Sequence, residues 1–253
     1  MRIYSFCKEL MSEIGRELNS YGEIVKPKTY QNKNIEGNED MITKEIQSYQ
    51  YCLLHLSDPE WLFAYSNTQE WAEAEFKERV SGYEINPGEA WKLNKSMWGQ
   101  FLVDGHFDYT YAERINAIVS NRFATGTIFT TRLQAVIDLL KTDPDTRKAV
   151  LSIFDPSIDS ENYDGSRRIP CSMYYDFLLR DNGRGKQLNI YYHQRSSDFT
   201  NHFGDDVYLA WRLMEYVANA VNAKIGYLYH TIDSLHVYKK DWHYLNSNIE
   251  NLL

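Results

Sequence analysis

Residues 187–206 read QLNIYYHQRSSDFTNHFGDD, and this stretch decides the architecture. In QLNIYYH (187–193), aromatic and branched side chains alternate with polar ones, the pattern of a β-strand with one buried face. The stretch then turns polar and closes on two acids at the head of a long apolar segment. From Asp205 to about Ala223, Val207, Ala210, Met214, Val217 and Val221 share one helical face and Tyr208, Trp211 and Ala218 another. A helix apolar on two faces is expected to be buried on more than one side.

Upstream, MYYDFLLR (173–180) predicts a partner strand, joined through the hairpin-like turn DNGRGK. AVLSIF (149–154) is a shorter apolar strand, and Leu133, Val136, Ile137 and Leu140 give a helix from Thr131 that closes at Asp143 and Pro144. The segment DPSIDSENYDGSRR (155–168) is too hydrophilic to be expected in the interior. IGYLYHTIDSLHVY (225–238) predicts a final strand. At the other end, Ile3, Cys7, Leu10, Ile14 and Leu18 align on one helical face, and Tyr21–Asp40 reads as loop or short extended structure. Asn67 and Glu70 have capping-box spacing ahead of a helix that runs through WAEAEFKERV to Gly82, and Pro87 and Gly88 mark a turn. With no repeat and no linker, residues 1–253 are expected to form one α+β domain, a mixed sheet packed with helices.

The 253 residues are 43% hydrophobic and 25% charged, which excludes disordered and collagen-like classes. The net charge of −8 argues against a grip on polymeric nucleic acid. Most of that surplus lies in the first 90 residues, so the nearly neutral remainder can hold a local basic pocket for a small anion. Cys7, Cys52 and Cys171 have no disulfide or metal-site spacing. A reducing, cytoplasmic setting is the expectation, with no membrane span and no signal peptide. The seven histidines show no metal-site spacing and no glycine-rich phosphate loop occurs, so no metal, Rossmann cofactor or nucleoside triphosphate is expected.

Several residues could carry chemistry. Cys171 follows Pro170 and the basic pair Arg167 and Arg168; it reads either as a small core filler or as a thiolate nucleophile supported by guanidinium groups. Arg195 and Ser196 suit a phosphate, against the alternative of Arg195 paired with Asp198. Arg147 and Lys148 are a second basic pair or a solvated surface feature. His236 and Tyr238 share a strand face, where they either bind a hydroxylated ligand or form a hydrogen-bonded core pair.

Taken in order, RLQAVIDLLKTDPDTRKAVLSIFDP, IPCSMYYDFLLRD, YYHQRSSDFTNHFGDD and GYLYHTIDSLHVY resemble the thymidylate synthase family, densely from Leu133 to Tyr238. The resemblance implies that family's fold, with a sheet face forming a homodimer interface, a pyrimidine nucleoside monophosphate as substrate and 5,10-methylenetetrahydrofolate as cosubstrate. It implies that Cys171 adds to C6 of the pyrimidine, so that C5 attacks the folate-borne carbon. A methylase reduces the resulting exocyclic methylene; a hydroxymethylase adds water to it. By the same resemblance Arg195 and Ser196, in a motif opened by Gln194, hold the phosphate, with Arg147 and Lys148 reaching it across the dimer. His236 and Tyr238 meet the sugar 3′-hydroxyl, Asp198 lies near the pterin and Trp98 on the folate side. Tyr111 in YTYAER and, by ungapped counting from it, Glu75 fall at catalytic positions.

One departure points to a branch. The family's uracil-reading Asn, eleven positions after the motif Arg, is here Asp206, which resembles cytidylate (dCMP or CMP) 5-hydroxymethylases. A carboxylate accepts from the cytosine 4-amino group and favours a protonated N3, whereas it repels uracil O4. The runner-up reading is a methylase on the same fold, and a third is a nonenzymatic nucleotide-binding relative. Ser172 replaces the family's His after the nucleophile, Asp176 its Gln, and Lys148 an Arg. Lys26 or Lys28 is the expected stand-in for an N-terminal phosphate Arg. The sequence ends at Asn251, Leu252 and Leu253 without the family's closing extension, so folate sequestration is expected to differ.

Overall fold

The alternation in residues 187–193 holds in three dimensions. Leu188, Ile190 and Tyr192 are fully buried, while Gln187, Asn189, Tyr191 and His193 face outward and stay half-exposed. The computed structural model describes residues 1–65, 67–123, 126–160, 167–181, 183 and 185–245. Its elements begin with β1 (Arg2–Tyr4), α1 (Cys7–Tyr21), β2 (Glu23–Val25), β3 (Thr29–Tyr30), β4 (Lys33–Asn34), β5 (Thr43–Leu53) and α2 (Gln69–Arg79). They continue with α3 (Lys95–Trp98), α4 (Tyr111–Asn116), β6 (Ile118–Phe123), β7 (Gly126–Thr131), α5 (Arg132–Thr142), β8 (Val150–Ser152) and α6 (Pro156–Asp159). The last are β9 (Ser172–Asp181), β10 (Lys186–Gln194), β11 (Ser197–Asp198), α7 (Gly204–Ala220), β12 (Lys224–Tyr238) and α8 (Trp242–Leu245).

The main sheet runs β1-β5-β12-β10-β9-β8, with β2 added beside β5 and β11 beside β12. It is mixed: β9 pairs antiparallel with β10, while β12 pairs parallel with β10 and antiparallel with β5. A parallel pair needs a crossover, and α7 supplies it between β10 and β12. The buried side chains of α7 include Val207, Leu209, Ala210, Leu213, Met214 and Val217, in keeping with its two apolar faces. On α1, Cys7, Leu10, Ile14 and Leu18 are fully buried, the two leucines and the isoleucine each stabilising the fold by about 1.5–3 kcal/mol.

The structure departs from the sequence reading in identifiable places. Ile3 lies in β1 and is exposed, since the helix starts only at Cys7. The cap of α2 is Thr68, whose hydroxyl accepts from the Trp71 amide; Asn67 is turned to a different task described below. In the hydrophilic segment 155–168, Asp159 and Arg168 are buried, Asp159 because it pairs with Arg114 at 2.8 Å. Residues 161–166 of that segment, Asn182 and Arg184 of the DNGRGK turn, and the C-terminal 246–253 lie outside the described residues. Neither β5 nor the β6–β7 hairpin was expected: TKEIQSYQYCL breaks strict alternation, and β5 is specified by its pairing with β12.

Gly204 sets the pitch of α7 onto the sheet. A Cβ there would overlap the carbonyl of Leu62, so only glycine lets the helix start this close to the turn at Pro59–Phe63. A single π-helical turn, Phe199–Phe203, leads into α7 and widens the backbone between Asp198 and the acids that follow.

Candidate active site

Cys171 stands at the mouth of β9, and Arg195 just past the end of β10. The Arg195 guanidinium donates to the carbonyl oxygens of Pro170 at 2.9 Å and Ile169 at 3.1 Å, and its Nη2 lies 3.8 Å from the Cys171 sulfur. The alternative pairing of Arg195 with Asp198 is not formed. The Asp198 carboxylate instead accepts from the Thr200 and Asn201 amides and from the Asn201 side chain at 2.8 Å, capping the π-helical turn. Burial pushes the Cys171 thiol up; Arg195 opposes that, Asp206 adds to it, and Arg168 and the Gln31 side chain oppose it again.

Asp206 is placed by the first turn of α7. Gln194, fully buried at the end of β10, donates from Nε2 to one oxygen of Asp206 at 2.7 Å. Burial pushes the Asp206 carboxyl up to about 6, with Gln194 and Arg79 opposing the rise. One oxygen is thus committed to Gln194 while Asp206 lines the same cavity as Cys171.

That cavity has a volume of about 360 Å³. Its walls bring together Cys171, Glu75, Tyr111, Arg195, Ser196, Asp198, Asp206, His236, Tyr238 and Trp98. Glu75 pairs with Arg79 at 2.9 Å, and the Arg79 guanidinium stacks 4.0 Å over the Tyr111 ring. Ser172, the residue that departs from the family's His, donates to the Tyr111 hydroxyl at 3.0 Å and meets the Tyr192 hydroxyl at 2.5 Å. His236 and Tyr238 are in edge contact at 5.3 Å, and Tyr30 packs edge-on against Tyr238 at 5.7 Å.

The opposite wall is aromatic. Trp71 and Trp98 stack at 5.4 Å and 11°, and His202 lies 5.4 Å beyond Trp98. The indole N–H groups of Trp71, Trp91 and Trp98 are buried without a hydrogen-bond acceptor, and all three residues line the cavity. Buried donors left open beside flat apolar faces fit a flat, acceptor-rich ring system, which is the chemistry of a pterin. In the same wall Asp205 accepts from Asn67 Nδ2, and Asn94 Nδ2 donates in turn to Asn67. Burial holds the Asp205 carboxyl well above the usual carboxylate range.

Several expected residues fall elsewhere. Gln194 does not line the cavity but orients Asp206 from beneath it. Arg147 and Lys148 are exposed on the loop between α5 and β8, outside the cavity. Lys26 and Lys28 are exposed too, and Lys28 pairs with Glu36 at 3.0 Å; the part of that N-terminal segment that reaches the cavity is Thr29–Gln31. Asp176 lies on the outer face of β9, away from the cavity. Sequence reasoning missed Gln31, Trp71 and Trp91, which stand outside the family-like segments, and His202 and Asp205, which lie within one of them but were assigned no role, as cavity residues. Among the described residues, no group of three His, Cys, Asp or Glu side chains could hold a metal ion, and no helix is long and apolar enough to cross a membrane.

A mixed sheet whose strand ends deliver a cysteine, an arginine and a carboxyl to one aromatic-walled cavity is the architecture of the thymidylate synthase fold. Residues 81–252 match the family model described as thymidylate synthase, and the chain belongs to that family. It is 36% identical over 154 residues to a deoxyuridylate hydroxymethyltransferase of Bacillus phage SP01, the match covering 59% of this chain and 38% of that protein. A Methanosarcina barkeri protein provisionally named a thymidylate synthase is 30% identical over 136 residues, 54% of this chain and 55% of that protein. The chain thus matches about four to six tenths of the length of these relatives. Thermostable thymidylate synthase A from Bacillus subtilis shares the fold with a TM-score of 0.72 at 16% identity, over 97% of this chain and 84% of that one.

Proposed function

We propose that the chain is a cytidylate 5-hydroxymethylase, which converts dCMP or CMP, 5,10-methylenetetrahydrofolate and water to the 5-hydroxymethyl nucleotide and tetrahydrofolate. The observation that carries this reading is the geometry of Asp206, with one oxygen fixed by Gln194 at 2.7 Å in the wall that also holds Cys171. A carboxyl group near pH 6 is ionised at neutrality, accepts from the 4-amino group of cytosine, and can share a proton with N3 as negative charge builds on the ring. Against uracil it presents acceptor to acceptor.

In this reading Cys171 forms a bond from sulfur to C6, and Arg195 and Ser196 hold the phosphate. His236 and Tyr238 meet the sugar. The Trp71–Trp98 wall with its open indole donors, and Asp198 beside it, seat the folate, which supplies the one-carbon unit. Glu75, anchored by Arg79, handles protons and positions water. Expulsion of the cysteine then restores the C5–C6 double bond and frees the thiolate. The hydroxymethyl outcome is supported by the likeness to the phage deoxyuridylate hydroxymethyltransferase; the base assignment here departs from that relative's name because of Asp206. Arg147 and Lys148, exposed and remote from their own cavity, suit the role of phosphate ligands for a partner. The uncovered sheet face, with Tyr174, Tyr227 and the stacked pair Tyr191 and Tyr229, is the surface proposed to join two chains.

The test is incubation with CMP, dCMP or dUMP and methylenetetrahydrofolate, with the product identified by mass. A hydroxymethylated cytidylate is the expected result. Formation of dTMP or hydroxymethyl-dUMP in preference to it would overturn the cytosine reading.

A further inference from the structure

Arg168 is a buried charged side chain in this cavity that the functional reading leaves without a task. It is 7% exposed, three residues before Cys171, and its guanidinium carbon lies 4.1 Å from the Phe101 ring centre and 5.4 Å from that of Tyr109. Both rings are themselves buried. Its backbone N–H is fixed to Asp108 at 3.0 Å, and its Nε donates to Gln31 Oε1 at 3.4 Å. Gln31 sits at the tip of the β3–β4 hairpin with φ of 55°, a left-handed conformation that costs a non-glycine residue energy, and it lines the same cavity as Cys171. Among the described residues the Arg168 guanidinium has no carboxylate partner, although burying a guanidinium without a counter-charge is costly. The cavity contains a group that would be its counter-charge once ionised, the thiol of Cys171.

We propose that Arg168, clamped by Phe101 and Tyr109 and oriented by Gln31, is the dedicated counter-charge that favours ionisation of Cys171 while Arg195 is engaged by the nucleotide phosphate. The proposal rests on the reading of Cys171 as the nucleophile. Arg195 touches the sulfur in the free enzyme, but a bound phosphate dianion more than cancels its single positive charge. Without a second cation, the nucleophile would lose support at the step that needs it. The groups that face Cys171 are few. Arg195, Arg168 and Gln31 favour the thiolate, and Asp206 opposes it. Tyr30, Tyr109, Tyr111 and Tyr238 surround it, all held neutral by burial. Arg168 is therefore the one full positive charge among these groups that the phosphate does not claim. It acts through the thiol and so is a positioning residue.

The test is the pH dependence of Cys171 alkylation by iodoacetamide in the full-length chain, with the modified peptide identified by mass and inorganic phosphate as the probe anion. In Arg168→Gln the midpoint is expected to rise by about one pH unit, which is about tenfold slower alkylation at pH 7. Saturating phosphate should raise it further in that variant than in wild type, and Arg168→Lys should restore most of the loss. An unchanged midpoint in Arg168→Gln, or a failure of lysine to rescue, overturns the proposal. If Arg168→Gln loses its native melting transition, Gln31→Leu, which releases the guanidinium from a half-exposed acceptor, must raise the midpoint or the proposal fails. No nucleotide or folate enters this assay, so its outcome is independent of whether the product analysis supports the cytidylate reading.

Discussion

Replacement of Asp206 by Asn is the sharpest perturbation of the substrate assignment. Gln194 Nε2 holds one Asp206 oxygen at 2.7 Å, so an Asn that keeps its carbonyl on Gln194 must turn its NH2 toward the base. The amide then offers a donor where cytosine also offers a donor, and a match where uracil offers O4. Each unpaired or opposed polar group in a buried site costs about 1–3 kcal/mol, so two mismatched positions amount to roughly 3–5 kcal/mol, or about 10²–10⁴ in kcat/KM. The ratio of kcat/KM for cytidylate over dUMP is expected to fall by at least that factor and to invert. The acid limb of the wild-type profile near pH 6, where Asp206 protonates, should vanish in the variant.

A second readout follows from the same residue. Burial raises the Asp206 carboxyl from 3.8 to about 6, so its contribution to stability is complete below the lower value and is lost as pH rises through the upper one. Asp206→Asn removes that loss. It should melt higher than wild type at pH 7.5, by up to ~3 kcal/mol in stability, with the gap closing towards pH 4. Initial rates on CMP, dCMP and dUMP with mass-identified products, together with melting curves from pH 4.5 to 8, check both. An Asn variant that retains the wild-type preference for cytidylate would refute the reasoning, whatever its stability.

Cys171→Ser should abolish turnover, by more than about 10³-fold, and the covalent nucleotide adduct seen by intact-mass measurement, while leaving the melting temperature nearly unchanged. His230 is 1% exposed, bonds Tyr51 at 2.9 Å and is pushed down to about 3 by burial, so it stays neutral in the fold while the unfolded chain protonates near 6.5. Stability should therefore fall by about 2 kcal/mol between pH 7 and pH 5 from this group, and urea titrations of His230→Gln should lack that loss. Gly204→Ala forces a Cβ into the Leu62 carbonyl and should lower the melting temperature by at least ~5 °C. Tyr191→Asp, which breaks the stacked pair with Tyr229 at 4.6 Å, should convert a particle of twice 29.8 kDa to a single chain by light scattering; a wild type that is already a single chain removes the dimer from the proposal.

Legibility varied with how local each decision was. Strands β9 and β10 and helix α7 announce themselves because a buried face imposes its period on the residues that form it. β5 does not: Lys44, Glu45 and Gln47 interrupt its apolar pattern, and the strand exists because β12 pairs with it along nearly its whole length. Asn67 looks like a helix cap in one dimension and is one residue too early, its amide being recruited by Asp205 from a helix more than a hundred residues away. Arg147, Lys148 and Gln194 stand in motifs yet do not line the cavity, whereas Gln31 and Trp71 line it without any motif.

The sequence by itself determined the order of elements from residue 131 onward, the family likeness, and the candidate chemistry at Cys171, Arg195 and Asp206. These follow from side-chain type and spacing, which are properties of a short stretch of chain. Only the tertiary structure decided which partner each group has: Arg195 on the carbonyls before Cys171 and not on Asp198, Gln194 on Asp206, Glu75 on Arg79, and Arg168 between two rings beside the thiol. Charge state and reactivity depend on desolvation and on neighbours brought from distant segments. No local pattern encodes that environment, and the chain acquires it only when the sheet, α7 and the N-terminal hairpin close around one cavity.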